Sequence, residues 1–335
     1  MGQPRPGIHE GMSITFLGTG GSWPTAERNT ACIAVKRGPE VILFDCGEGT
    51  QRQFQRSKLS YMQVRRVFVS HLHADHFLGL AGLVQTMSMN ERVEPLEVYG
   101  PPGIPEIVAG FTRLAYFKPS FAIDVRELRD GDVVPFPGYR IEARAVKHNV
   151  PNLGYALVED PRPGRFNKPR ALELGVPEGP AFGSLQTGTP VTLADGRVVR
   201  PEDVLGPARR GRKIAYSGDA VPSEAMVELA RDADVLVHDS TFGDDYAEAN
   251  AYGHSTSTQA AYVAKKAGVR ALYLTHFSAR YRDVRPLLES ARRLFEKTHA
   301  AHDFLEIDVA FTEEPAEASP EPPGVAPATA RRRKA

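Results

Sequence analysis

Six residues, His71-Leu72-His73-Ala74-Asp75-His76, set three imidazoles and a carboxylate between the apolar run Val67 to Val69 and a helical pattern that starts near Phe77. In an extended stretch alternate side chains share a side, so His71 and His73 converge on one point. Asp75 and His76, where the chain turns into the helix, face a second. Borderline ions such as Zn²⁺ accept nitrogen and oxygen ligands of this kind, and catalytic sites keep one position open for water. The competing explanation, histidines gathered by chance or capping the helix, is weakened by the density of ligand types. Three further candidates stand in the same kind of place. His148 follows Ile141 to Val146, Asp219 follows Ile214 to Tyr216, and His276 follows Leu272 to Leu274. Any one of them alone reads as structural, but loops leaving the carboxyl ends of strands are where distant residues meet in α/β sheets. Only two cysteines occur, Cys32 and Cys46, with no C-x-x-C pair, so a metal here must use histidine and carboxylate.

The rest of the pattern is α/β. Short apolar runs bounded by turn residues recur at Ser13 to Leu17, Val41 to Phe44, Val67 to Val69, Glu97 to Tyr99, Ile141 to Val146, Ile214 to Tyr216, Val235 to Val237 and Leu272 to Leu274. Helical patterns cover Phe77 to Met89, Ser223 to Arg231 and Thr258 to Ala267, the last ended by Gly268 and opened by Thr256 and Gln259 in capping-box spacing. With 41% hydrophobic residues in 335, the chain has the material for a substantial core. No run is long and apolar enough to span a bilayer, and the first residues lack the apolar centre of a signal peptide, so the expectation is a cytoplasmic protein with no membrane association. No internal repeat is present.

Residues 1–11 are polar and rich in Pro and Gly and read as a flexible extension, and residues 313–335 hold Pro, Ala and Glu without apolar periodicity and read as a disordered tail. The catalytic domain is expected over 12–312. Within it, eight prolines and seven glycines fall in the 47 residues from Pro161 to Pro207, which reads as an extended insertion. Segments of that length without secondary structure are uncommon unless functional or disordered. Lys plus Arg equals Asp plus Glu at 41 each, so the whole chain carries no electrostatic footprint for nucleic acid. Two local basic runs exist, Arg209 to Lys213 and Arg331 to Lys334, and either alone is more simply a solvated surface. Gly18 and Gly20 fail as a dinucleotide fingerprint, because Trp23 stands where the third glycine belongs.

The order H-x-H-x-D-H, then a single His, a single Asp and a final His, resembles the metallo-β-lactamase fold over about Met12 to Asp308. Phe16-Leu17-Gly18-Thr19-Gly20, Arg28-Asn29, Phe44-Asp45-Cys46-Gly47-Glu48, Tyr252-Gly253-His254-Ser255-Thr256 and Leu274 to Tyr281 resemble the ribonuclease Z family in particular. The resemblance implies an αββα sandwich with a protruding flexible arm over residues 160–210, two Zn²⁺ per subunit, and a homodimer that cuts the 3′ trailer from precursor tRNA. No protein partner is indicated. It makes His71, His73 and His148 ligands of one zinc and Asp75, His76 and His276 ligands of the other, with Asp219 between them. Asp75 is also implied as the base that acts on the nucleophile, or as a ligand with no part in proton transfer. His254 is implied to contact the scissile phosphate or protonate the leaving oxygen.

One departure stands out: where the family reads His-Glu-Ala-Thr, this chain has His238-Asp239-Ser240-Thr241. The shorter Asp239 leaves its reach to His254 open, and His238 reads as a strand-end histidine. Asp45 reads as a hydrogen-bond acceptor for a ligand imidazole. The arm is similar to the one with which the family grips tRNA, and Lys168, Arg170, Gly179 and Pro180 match its basic, Gly-Pro character. Two other readings remain: a small-molecule hydrolase of the same fold, acting on a cyclic nucleotide, lactone, thioester or sulfate ester, and a non-catalytic RNA-binding protein. A complete ligand set argues against the last.

Overall fold

Each of the eight apolar runs falls in or overlaps a strand, and among the described residues the strands form two seven-stranded sheets and one two-stranded ladder. The computed structural model describes residues 11–111, 113 and 118–312. The expectations for residues 1–10 and 313–335, including the run Arg331 to Lys334, lie outside the described residues. In the first sheet, β1 (Met12–Gly18), β2 (Cys32–Arg37), β3 (Glu40–Phe44), β4 (Val64–Phe68), β5 (Leu96–Gly100) and β6 (Ile123–Glu127) lie side by side in chain order. The second runs through β7 (Val133–Phe136), β8 (Tyr139–Ala145) and β9 (Leu153–Glu159), and continues, past β10 (Val191–Thr192) and β11 (Val198–Val199) in the chain, with β12 (Lys213–Tyr216), β13 (Val235–Asp239), β14 (Leu272–Thr275) and β15 (Thr298–Ala300). The last strand, β16 (Glu306–Asp308), returns to pair with β1. Strands β3 to β6 are mutually parallel, as are β12 to β15.

The period-two alternation of the strands produces the layers. Ile33, Val35, Ile42 and Phe44 of the first sheet pack against Tyr155, Leu157, Ile214, Tyr216 and Val237 of the second. Their neighbours Cys32, Ala34, Val41 and Leu43 turn outward onto helices Thr50–Arg56, Gly79–Met89 and Ile104–Phe111. On the far side, Ala156, Ala215, Leu236 and Leu272 meet helices Glu224–Ala230, Ser257–Ala267 and Arg285–Leu294. This is an αββα sandwich, the metallo-β-lactamase fold expected from the motifs. Phe44 sits between the Tyr155 and Tyr216 rings at centroid distances of 6.0 and 5.7 Å, so aromatic contact holds the two sheets together beneath the site.

Residues 161–211, with Thr312, form a second compact unit. The sequence reads as extended there, but the segment holds helices Lys168–Glu173 and Pro180–Gln186, the β10–β11 ladder, and a small core of Ala171, Val176, Leu185, Leu193, Val199 and Val204. Gly179, at a φ of 116°, precedes the second helix and Pro180 opens it. Elements of one or two turns are too short to show apolar periodicity. The basic run Arg209 to Lys213 is also not a surface patch throughout. Arg212 is buried, its Nε 2.7 Å from Glu159 Oε2 and its Nη2 2.8 Å from Oε1. Among the described residues, no helix is long and apolar enough to cross a membrane.

Candidate metal centre

Five strand ends deliver the predicted residues to one rim of the sandwich. β4 leads to His71, β8 to His148, β12 to Asp219, β13 ends on Asp239, and β14 leads to His276. His73 precedes the one-turn helix Ala74–Phe77 with extended backbone, which carries Asp75 and His76 into the site. Donor atoms of His71, His73, His148 and Asp219 lie within 4.8 Å of one another, as do those of Asp75, His76 and His276, and those of Asp219, Asp239, His254 and His276. The chain therefore brings every predicted ligand together, along with His254 and Asp239.

Hydrogen bonds on the outer side of each ring decide which nitrogen faces inward. His76 Nδ1 donates to Asp45 Oδ2 at 2.7 Å, His148 Nδ1 to the Gly253 carbonyl at 2.7 Å, and His276 Nδ1 to Thr241 Oγ1 at 2.8 Å. Ser70 Oγ gives its proton to Asp45 Oδ2 at 2.8 Å, so it accepts from His71 Nδ1 at 3.0 Å. The Nε2 atoms of these four histidines are left as lone pairs. His76 Nε2 and His276 Nε2 stand 3.3 Å apart, and His73 Nδ1 is 3.0 Å from His71 Nε2 and 3.3 Å from His148 Nε2. Lone pairs this close repel unless a cation lies among them. Asp219 Oδ2 is 3.3 Å from His76 Nε2 and Oδ1 is 3.2 Å from His276 Nε2, yet Oδ1 is buried without a hydrogen-bond partner. An orphaned carboxylate oxygen facing imidazole lone pairs is the donor set a divalent cation satisfies. The two cysteines contribute nothing, since both are buried on the helix side of the first sheet and burial pushes the Cys46 thiol up to about 12.

The charges fit the same reading. Burial opposes ionisation of Asp219, but His276 and His76 hold its carboxyl well below the usual carboxylate range. Burial likewise opposes a charge on Asp75, and His276 and His76 outweigh it. Burial with His76 alongside pushes the His71 imidazole down, and burial pushes His148 down. Burial opposes a charge on His76 as well, but Asp219 and Asp45 outweigh it and push that imidazole up: beside these anionic carboxylates positive charge is favoured.

Asp239 reaches His254 despite its shorter side chain: Oδ2 lies 2.9 Å from His254 Nδ1. The carboxylate is fixed by the Thr241 backbone N–H at 2.8 Å and hydroxyl at 2.6 Å, and by the Ala220 N–H at 3.1 Å. Burial lowers the His254 pKa, but Asp239 more than compensates and raises it to about 9. The His254 ring stacks on His276 at 5.3 Å. His238 instead faces its own chain, with Nδ1 2.9 Å from the Asp239 carbonyl. Lys168 and Arg170, in the second unit, pair with Glu178 at 3.0 Å and Glu173 at 3.2 Å on exposed surface.

Several contributors carry no sequence signal of their own. Ser70 and Thr241 relay His71 and His276 to carboxylates, the Ser22 N–H holds Asp75 Oδ2 at 2.7 Å, and Asn152 donates to the Asp219 carbonyl. Gly21 leaves room for a ligand, since a Cβ there meets His276 Cε1 at 2.6 Å. His276 itself has a φ of 60° and Asp45 one of 59°, left-handed conformations that persist where the surroundings over-determine them.

The sandwich and its histidine–aspartate rim define a metal-dependent hydrolase of the metallo-β-lactamase fold. Residues 169–277 match the family model described as Beta-lactamase superfamily domain, and residues 12–108 match the one described as Anti-Pycsar protein Apyc1. The ribonuclease Z of Methanosarcina acetivorans is 51% identical over 305 residues, 90% of this chain and 100% of that one. The ribonuclease Z of Myxococcus xanthus is 50% identical over 287 residues, 85% of this chain and 93% of that one. The crystal structure of the short form of human tRNase Z is similar at a TM-score of 0.65 and 27% identity, covering 89% of this chain and 100% of that one. The chain belongs to the ribonuclease Z family.

Because Gly21 has no room for a side chain beside His276, Gly21→Ala is expected to displace that ring and loosen metal. The folded far-UV spectrum should be kept while metal retained after dialysis, measured by mass spectrometry of the elements, falls by half or more. Retention equal to the parent protein would contradict the packing argument.

Proposed function

We propose that this chain removes the 3′ trailer from precursor tRNA as a zinc enzyme, with two Zn²⁺ in each subunit. Membership of the ribonuclease Z family supports the substrate, and the single observation that carries the metal is the set of inward lone pairs around the orphaned Asp219 Oδ1. In this reading His71, His73 and His148 hold one ion, Asp75, His76 and His276 the other, and Asp219 turns one oxygen toward each group. When bound, a pair of divalent ions polarises a phosphoryl oxygen and makes a water more acidic.

The chain's own side chains supply the proton transfers. Asp75, oriented by the Ser22 N–H, accepts a proton from the attacking water as its oxygen bonds to phosphorus. The bond from phosphorus to the 3′ oxygen of the tRNA breaks, and His254 gives that oxygen its proton. Asp239 holds His254 through Nδ1, which leaves Nε2 to face the leaving group. Lys168, Arg170, Gly179 and Pro180 are assigned to tRNA contact away from the cut. Exposed ion pairs such as Lys168–Glu178 contribute only about 0–1 kcal/mol, so a phosphate readily replaces the carboxylate. A cytoplasmic setting suits both the RNA substrate and two buried free thiols. The homodimer is carried over from the family.

End-labelled precursor tRNA should be cut once, beside the discriminator base, and activity should vanish with a chelator and in His73→Ala. Hydrolysis of a simple chromogenic diester without cleavage of the tRNA would move the assignment to a small substrate. The double variant Lys168→Ala, Arg170→Ala should raise KM for precursor tRNA and flatten its dependence on salt by about 0.7–0.9 in the log–log slope per lost phosphate contact. An unchanged slope would remove these residues from the interface. Sedimentation equilibrium should give twice the chain mass, and a monomer at micromolar concentration would rule the dimer out.

A further inference from the structure

Among the described residues, the aromatic side chains exposed by half or more are Trp23 at 60%, Tyr252 at 54% and Tyr262 at 50%. Leaving an aromatic ring in water is unfavourable unless something covers it in use. Tyr252 stands two residues before His254, at the end of the one-turn helix Ala249–Tyr252, and Gly253 at a φ of 80° turns the chain from it into the site. It is also held in place. Its carbonyl accepts from Asn149 Nδ2 at 2.8 Å, and its ring lies 5.9 Å from that of Tyr246. Tyr246 in turn stacks on Phe242 at 4.3 Å, and the Arg280 guanidinium lies 4.3 Å from the Tyr246 centroid. Phe242 meets the His254 ring edge-on at 5.8 Å. The stack therefore runs without a break from the proton donor to an open tyrosine face.

We propose that Tyr252 is the stacking platform for the unpaired base of the nucleotide on the 5′ side of the cut, the one whose 3′ oxygen leaves. This rests on the functional reading above, and adds to it a residue that places the substrate. The 3′ oxygen must come to His254 Nε2, so its own base lies within one nucleotide of that point, and the Tyr252 ring stands close by, its centroid 6.5 Å from that of Phe242, which is 5.8 Å from that of His254. Single-stranded bases stack on aromatic rings whatever their sequence, because each presents a π face. A ring already packed against Tyr246 and Phe242, which Arg280 holds in turn, loses little freedom when it is covered.

The test compares Tyr252→Ala, Tyr252→Phe and the wild type on precursor tRNA, and on the same RNA lacking only the base at the nucleotide 5′ of the cut. Tyr252→Ala is expected to lower kcat/KM for the complete RNA by about tenfold or more, and Tyr252→Phe to retain it. Removing the base should slow the wild type by a similar factor and leave Tyr252→Ala no slower than before. Tyr262→Ala, an equally exposed tyrosine on helix Ser257–Ala267, should match the wild type on both RNAs. A Tyr252→Ala enzyme as fast as wild type, or one that loses a further factor when the base is removed, overturns the proposal while the functional reading stands. A wild type that does not cut precursor tRNA at all overturns both.

Discussion

The Asp45 carboxylate is the point on which the site depends. It has no exposure to solvent and lies between the two sheets, where a charged group persists only if donors replace its water. Four do so. The Ser70 N–H reaches Oδ1 at 2.6 Å, and the Ser70 hydroxyl, His76 Nδ1 and the Tyr216 hydroxyl reach Oδ2 at 2.8, 2.7 and 2.6 Å. These partners belong to the ends of β4 and β12 and to the one-turn helix Ala74–Phe77, so one carboxylate fixes three segments. Through Ser70 it also sets the His71 ring. Burying a carboxylate is costly when any donor is missing, and that cost makes the arrangement specific.

Convergence at the rim follows from topology. In both sheets the parallel strands end at the same edge, so loops after β4, β12, β13 and β14 meet although up to two hundred residues separate them in the chain. A second carboxylate, Asp239, repeats on the opposite side what Asp45 does on the first. Its two oxygens are shared among the backbone at Thr241 and Ala220, the Thr241 hydroxyl and His254, and Thr241 passes the orientation on to His276. The His71, His76, His148 and His276 rings are thus each held from behind by a hydrogen bond that ends, directly or through a hydroxyl, on a buried carboxylate or a carbonyl, which turns their Nε2 atoms inward.

What the sequence revealed divides along physical lines. The His71 to His76 cluster is legible because its ligands are local, and His148, Asp219 and His276 because each follows an apolar strand. His254 and Asp239 became visible only through the family resemblance, and the missing methylene of Asp239 is absorbed by a direct 2.9 Å contact that no spacing rule supplies. Ser70, Thr241 and Gly21 act through hydroxyls or the lack of a side chain, which small residues in loops do not announce. Strand β9 hid behind Asn152 and Gly154, and helix Arg285–Leu294 behind its charged residues Arg285, Glu289, Arg292 and Arg293, although Val284, Leu287, Leu288 and Ala291 have helical spacing. The helices of residues 161–211 are shorter still, and their prolines and glycines mask a small core.

The roles assigned to these side chains require two ions. Crystals grown with zinc and measured on both sides of the zinc absorption edge test that directly. The predicted result is two anomalous peaks per chain, one among His71 Nε2, His73 Nδ1 and His148 Nε2 and the other among Asp75, His76 Nε2 and His276 Nε2, with Asp219 reaching both. A single peak, or two with either of them lying away from Asp219, would contradict the account.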